Sequence, residues 1–390
     1  MTKAIRTQRS VRCRPVATLI LVEDLAHPFV VGRGGHAMHV LQVLEGLRRL
    51  GHRVIFAEFL EEPPGEEQVR YFTEVMGEWW ALDAAALLDL RGSGYAGLEP
   101  GAVARVAAGA DAVITQSAHY RPGPWPLLEA VRPRILVELD PGYTHLWAAE
   151  GDPVEIYGEH DLHFTVGVNI GTPRCSLPTL GIEWRPTFPP VVLDFWPAER
   201  PISRDRFTTI AAWRDYGYLE FEGRLLGPKV EEFEKFLRLP ERAGEPLELA
   251  LAIDREDPDR ERLLASGWLL ESPGVAGSPA QYRDYVSGSL GEFGVAKGGY
   301  AGTRCGWFSD RSACYLAAGR PVLLESTGFE DVLPTGEGLF AVSTVDEAAE
   351  AIAAVRGDYA RHSRAAREVA REYLASDLVL GQMLAAAGIS

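Results

Sequence analysis

The segment Arg304-Cys305-Gly306-Trp307-Phe308-Ser309-Asp310-Arg311-Ser312, followed by Ala318-Gly319-Arg320-Pro321-Val322, carries more chemical information than any other part of this 390-residue chain. A glycine-containing turn leads into a helix starting at Ser309 or Asp310, and a strand follows at Pro321–Leu324. A helix N-terminus offers N–H groups with no intrahelical partner and a partial positive charge, so it holds phosphate oxygens well. Ser309 adds a hydroxyl, and Arg304, Arg311 and Lys297 supply cations. Serine or aspartate ahead of a helix is also ordinary capping chemistry, and taken alone the segment leaves both readings open.

Outward from this segment the chain alternates short apolar runs with helical periodicity. Val16–Val22 reads as a buried strand, and His36–Leu50 as a helix carrying Val40, Leu41, Val43, Leu44 and Leu47 on one face. Gly51 stops that helix and Val54–Phe59 is the next strand. Asp111–Thr115 and Ile135–Leu139 are further strands. A second set begins near Phe207, with strands expected at Phe207–Ala211, Leu247–Ile253, Gly294–Ala296 and Pro321–Leu324. Helices are expected at Lys229–Leu239, Ser278–Val286, Ser309–Ala318 and Asp346–Val355. Such alternation implies parallel sheets covered by helices. The five prolines between Trp184 and Pro201 break helix and strand alike and mark a linker.

With that organisation, the 304–322 segment resembles the donor-binding signature of GT-B fold glycosyltransferases, which in the plant secondary-product enzymes reads H-C-G-W-N-S-x-x-E and then G-x-P. Cys305, Gly306, Trp307, Ser309, Gly319 and Pro321 match in type and spacing, while Phe308, Arg304 and Ser312 stand where that signature has Asn, His and a ribose-binding Glu. The resemblance implies an α/β fold of two Rossmann-like α/β/α domains facing a central cleft. It divides the chain into a flexible basic tail at 1–15, an acceptor-side domain at 16–188, a linker at 189–201, a donor-binding domain at 202–375, and a C-terminal helix at 376–390 that could pack back on the first domain. It also implies a nucleotide-diphosphate sugar as donor substrate, with no further cofactor. The implied donor residues are Lys297, Arg304, Gly306, Ser309, Asp310, Arg311 and Ser312, with Glu330 and Asp331 where the family holds the sugar's hydroxyls. Trp268 occupies the general place of the base-stacking loop. The E-x7-E pattern of one large retaining branch is absent.

Gly34-Gly35-His36 before an apolar helix, and Gly51-His52-Arg53-Val54 after it, are similar to the opening of many GT-B enzymes. His36 could serve as general base toward an acceptor hydroxyl, since an unperturbed histidine pKa of about 6.5 suits that task. His39 lies one helical turn further on. Asp140-Pro141-Gly142-Tyr143-Thr144-His145 follows a strand, so Asp140 or His145 are alternative catalytic groups, and Gly35, Tyr143 and His119 are candidates for the acceptor side. A competing dinucleotide reading of Gly32-x-Gly34-x-x-Ala37, with Glu58 as ribose acid, is weakened by the distance of Gly32 from its strand.

A net charge of −16 disfavours nucleic acid and anionic membrane as partners, leaving a nucleotide sugar and a small-molecule or glycan acceptor. No apolar run is long enough to span a membrane and the tail lacks a secretion core, so a cytoplasmic monomer or homodimer is expected. Cys13, Cys175, Cys305 and Cys314 form no C-x-x-C, and no cluster has metal-ligand spacing, so no metal is expected. The alternatives are a nucleotide-sugar epimerase or hydrolase of the same fold and a catalytically silent partner protein.

Overall fold

The computed structural model describes residues 17–116, 123, 125, 127–214 and 217–389; His119 and the basic tail lie outside them. The first half builds an eight-stranded sheet from β1 (Thr18–Val22), β2 (Arg53–Leu60), β3 (Ala85–Asp89), β4 (Gly94–Gly97), β5 (Ala112–Gln116), β6 (Arg134–Glu138), β7 (Leu162–Thr165) and β8 (Trp184–Pro186). Its order is β4-β3-β2-β1-β5-β6-β7-β8, and every pairing is parallel except β3 with β4. The second half contributes β9 (Arg204–Ala212), a small antiparallel hairpin of β10 (Leu219–Phe221) and β11 (Arg224–Leu226), then β12 (Glu248–Ala252), β13 (Leu269–Glu271), β14 (Ser289–Gly294), β15 (Val322–Glu325) and β16 (Leu339–Val342). The second sheet runs β13-β12-β9-β14-β15-β16. All its strands are parallel.

Central strands buried on both faces need continuous apolar runs, and β1 and β15 supply them. The helix Gly34–Arg49 buries Ala37, Val40, Leu41, Val43, Leu44 and Leu47, with Glu45 pairing Arg48 and Arg49 on its outer side. In each sheet the strand order reverses once, between β1 and β5 and between β9 and β14. Ligands of open parallel sheets bind at the carboxyl ends beside such a reversal. The residues at both reversal points line one shared cleft.

Three local expectations are corrected. The strand expected at Gly294–Ala296 lies at Ser289–Gly294, where it buries Glu292 against Arg311 (Nε–Oε1 2.5 Å). A charged residue inside a short glycine-rich run hid it. The helix expected over Lys229–Leu239 is broken into Lys229–Phe233, a tight turn at Glu234–Phe236, and Leu239–Ala243, because Pro240 lacks the N–H that would continue it. The proline-dense stretch begins with an edge strand, β8, where proline is tolerated.

The helix Ser376–Ala386 lies against Gly34–Arg49, with Leu380, Met383 and Leu384 in the first domain's core. Val191 exchanges backbone hydrogen bonds with the turn leading into that helix, donating to Leu374 and accepting from Ser376 (both 2.8 Å). The two halves are therefore joined by the linker and by the returning C-terminus. No helix among the described residues is long and apolar enough to cross a membrane.

Candidate donor and acceptor cleft

The cleft between the two sheets has a volume of about 310 Å3. The first domain lines it with Arg33, His36, His39, Leu139 and Asp140, and the second with Lys229, Lys297, Tyr300, Trp307, Ser309, Asp310 and Arg311. Of the expected site residues the fold thus brings His36, Asp140, Lys297, Ser309, Asp310 and Arg311 together.

Ser309 is the N-cap of the helix Asp310–Ala317, and its hydroxyl makes no capping bond to that helix. Arg311 is no mobile cation. Its Nε bonds Glu292, its Nη1 donates to the Ile210 carbonyl at 2.8 Å, and the buried Glu292 carboxylate holds its pKa above the usual range despite desolvation. Its charge is balanced by Glu292 at the floor of the cleft.

The other cations that the second domain brings to the cleft are lysines. Of the chain's 39 lysines and arginines only Lys3, Lys229, Lys235 and Lys297 are lysine. Two of those four face this cleft. That scarcity was the signal in the sequence for Lys229, which the motif did not cover. Lys297 stands 5.5 Å from the ring centres of Tyr143 and Tyr300 and 3.6 Å from Asp140 Oδ1. Asp140 also accepts a 2.5 Å hydrogen bond from the Tyr300 hydroxyl, and Tyr300 stacks on Trp307 with centroids 4.5 Å apart. Asp140 therefore bridges the domains at the cleft wall. Directly beneath it the Glu138 carboxyl accepts from the Asp140 N–H, Thr144 and Thr165. Burial and the charge of Asp140 push Glu138 up to about 8.

His36 donates from Nε2 to the Asp24 carbonyl at 2.6 Å, with Glu23 3.8 Å away. That bond leaves Nδ1 as the unprotonated nitrogen. Burial lowers its pKa to about 4. One turn on, His39 is 3% exposed.

Other expected site residues do different work. His145 is fully buried and stacks beside Trp184 (centroids 4.8 Å) and Tyr157, and burial drops its pKa to about 3. It is a core residue, because the helix Tyr143–Glu150 turns it toward the sheet. Tyr143 packs its ring where any side chain on Gly299 would stand, and so serves domain contact rather than the cleft. A side chain at Gly35 would meet Tyr282 at 2.9 Å, so this glycine permits helix packing. Ser312 is buried inside its helix's inner face. Arg304 sits outside the cleft lining, facing Glu330 and Asp331 at 3.4 and 3.6 Å. Those two acids bind within their own loop and to Asn169, whose amide donates to Asp331, to the Gly328 carbonyl and to the Arg304 carbonyl. Gly306 lets its backbone approach Asn169, since a Cβ there would come within 2.9 Å of the Asn169 nitrogen. This group is a seam between domains, with the Asn169 amide at its centre. Trp268 is a core tryptophan among Phe233 and Phe293. Glu58, the acid of the dinucleotide alternative, is buried and accepts twice from the Ala26 N–H. Among the described residues no group of three or more His, Cys, Asp or Glu could hold a metal ion.

No protein-family model and no curated protein matches the chain. Solved structures do. An alpha-glucosyltransferase in complex with UDP-glucose and DNA containing an abasic site is 12% identical, with a TM-score of 0.58 over 95% of this chain and 99% of that one. HepE from Anabaena, in complex with UDP and glucose, is 11% identical with a TM-score of 0.58 and the same coverage. A glycosyltransferase from Rickettsia africae is 12% identical, with a TM-score of 0.53 over 96% and 98%. These complexes correct one expectation drawn from net charge. Nucleic acid is not excluded as a partner, because proteins of this fold were solved with DNA. A whole-chain charge says little about a contact made by a few local groups at a cleft mouth. The architecture, two parallel α/β domains whose strand ends face one cleft, is the GT-B fold of nucleotide-sugar glycosyltransferases.

Proposed function

We propose that this chain transfers a sugar from a nucleoside-diphosphate sugar to an acceptor hydroxyl. The observation that carries the reading is the convergence of Lys229, Lys297 and the open helix end at Ser309 on one cleft whose opposite wall bears His36 and Asp140. Departure of a nucleoside diphosphate builds negative charge on the bridging oxygen, and preorganised cations and N–H groups stabilise that charge best where it develops. The lysines and the helix end would fill the place that a metal ion takes elsewhere. Asp310 puts a carboxylate at the same helix end, which suits a donor hydroxyl rather than its phosphates. His36, with Nδ1 unprotonated, or Asp140 would receive the acceptor proton. Complexes of fold relatives with UDP-glucose support the donor class, and the acceptor hydroxyl belongs to a small molecule, a glycan or a nucleic acid.

The test is calorimetric binding of UDP, GDP, TDP and their sugars, with and without EDTA, followed by product analysis with glycan, small-alcohol and duplex-DNA acceptors. Metal-independent binding of one nucleoside diphosphate, with transfer from its sugar, is the expected result. Release of free sugar or of an epimer without any acceptor would replace transfer by hydrolysis or epimerisation. Absence of nucleotide binding across the panel would end the donor-site reading.

A further inference from the structure

His39 is an imidazole buried in the cleft wall and held on one side only. Its Nε2 lies 3.1 Å from the Gln116 side-chain nitrogen. With its nitrogen turned to the ring the Gln116 amide can only donate, so in this orientation Nε2 is the lone-pair nitrogen and the proton sits on Nδ1. That Nδ1 is buried without any hydrogen-bond partner among the described residues. A buried donor left without an acceptor is destabilising, and a ligand oxygen can relieve it. The residue lines the same cleft as Lys229, Lys297 and Ser309, and the carboxylate of Asp310, also in that lining, bears on it electrostatically. The lysines and the helix end already serve anionic oxygens. A neutral N–H on the opposite wall fits a neutral oxygen.

We propose that His39, fixed by Gln116 as the Nδ1–H form, is a sugar-binding residue that donates to a hydroxyl oxygen of the transferred sugar and helps decide which sugar the cleft accepts. The idea rests on the donor-site reading above. It assigns the second histidine of the helix to recognition and leaves proton transfer to His36 or Asp140. Gln116 is then a positioning residue, since exchanging its amide for a carboxylate would demand a proton on Nε2 and turn Nδ1 into an acceptor.

Two measurements on the full chain test it. The first is the imidazole nitrogen spectrum of histidine-labelled protein, with His39 assigned by loss of its signals in His39→Asn; an Nδ1–H form is expected, and an Nε2–H form overturns the proposal. The second compares nucleoside diphosphate with nucleotide sugar in binding, using UDP and UDP-glucose and then GDP and GDP-mannose. For the pair that binds, His39→Leu and Gln116→Glu should weaken the nucleotide sugar about tenfold while leaving the diphosphate within about twofold, as for one hydrogen bond lost. His39→Asn, whose amide nitrogen overlies Nδ1, should restore most of the difference. Equal loss for diphosphate and sugar, or no loss for either, overturns the assignment while the donor site stands. Failure of the unmodified protein to bind any nucleotide sinks the donor site and this assignment together, with the melting temperatures of the variants separating that outcome from misfolding.

Discussion

Lys229 and Lys297 face the cleft in a chain with only two other lysines, so removing either ammonium should be felt directly. Each Lys→Ala change is expected to weaken nucleoside-diphosphate binding about tenfold, the effect of one charge-assisted hydrogen bond, as read by calorimetry. Arg304→Ala is expected to leave that affinity unchanged, because Arg304 faces Glu330 and Asp331 on the domain seam. His36 yields a prediction about pH. Its pKa is lowered to about 4, chiefly by burial, so it is neutral and able to accept a proton throughout pH 5–8. If His36 is the base, kcat/KM should show no acid limb near 6.5 and should fall only as pH approaches 4. A limb at 6.5 that vanishes in His36→Ala would contradict its buried environment. Lys297, Arg304 and His36 were legible in the sequence as types and positions, Lys229 was not singled out, and the pairing of none of them was. Arg311 looked as available as Lys297 until Glu292, nineteen positions earlier, was seen to hold it.

The loops at strand ends owe their precision to glycine, and two glycines with similar backbone angles separate local from tertiary demands. Gly51 has φ +94°, and a Cβ there would meet no described atom within 4 Å, so it answers only to the helix end it closes. Gly142 has φ +92°, and a Cβ there would lie 2.6 Å from the Gly299 carbonyl of the other domain. Gly51→Ala should therefore cost about 1–2 kcal/mol, the penalty of a left-handed alanine. Gly142→Ala should cost more, by about 1–3 kcal/mol for overpacking, and should also loosen the Asp140–Tyr300 bond beside it. Urea denaturation of both variants, with nucleotide binding as a second readout, checks the ranking. Equal losses would mean that the domain contact yields easily. The Gly-stop after the first helix was visible in sequence because its cause is local. The role of Gly142 was hidden because its cause is a backbone more than 150 residues away.

Taken together, the buried ionisable groups set opposing pH dependences. His145 and His160 are lowered by burial to about 3 and 4. In each the unfolded chain binds the proton more readily, so stability is full above about 6.5 and is lost as pH falls toward 4, with a slope approaching 1.4 kcal/mol per pH unit per histidine. Glu138 and Glu325 are raised to about 8 and Glu58 to about 7, so in each the folded state holds the extra proton. Their contribution is full below about 4.5 and is lost as pH rises through 7 and 8. Between about 6.5 and 8 the histidines no longer contribute a slope and the carboxyls still do. The melting temperature should accordingly decline between pH 6.5 and 8, and Glu138→Gln should lessen that decline by the share of one carboxyl among three. A decline of the same size in Glu138→Gln would place its origin elsewhere.

Periodicity and glycine placement were enough to identify alternating strands and helices, and the 304–322 motif was enough to suggest two domains around a donor cleft, because both depend on neighbours close in sequence. Folding alone decided which candidates meet. It sent His145 into an aromatic core, moved Arg304, Glu330 and Asp331 to the seam around Asn169, and brought Lys229 beside Lys297. Burial, and pairing between residues far apart in sequence such as Asn169 and Asp331, are set by three-dimensional contact, and no local pattern encodes them.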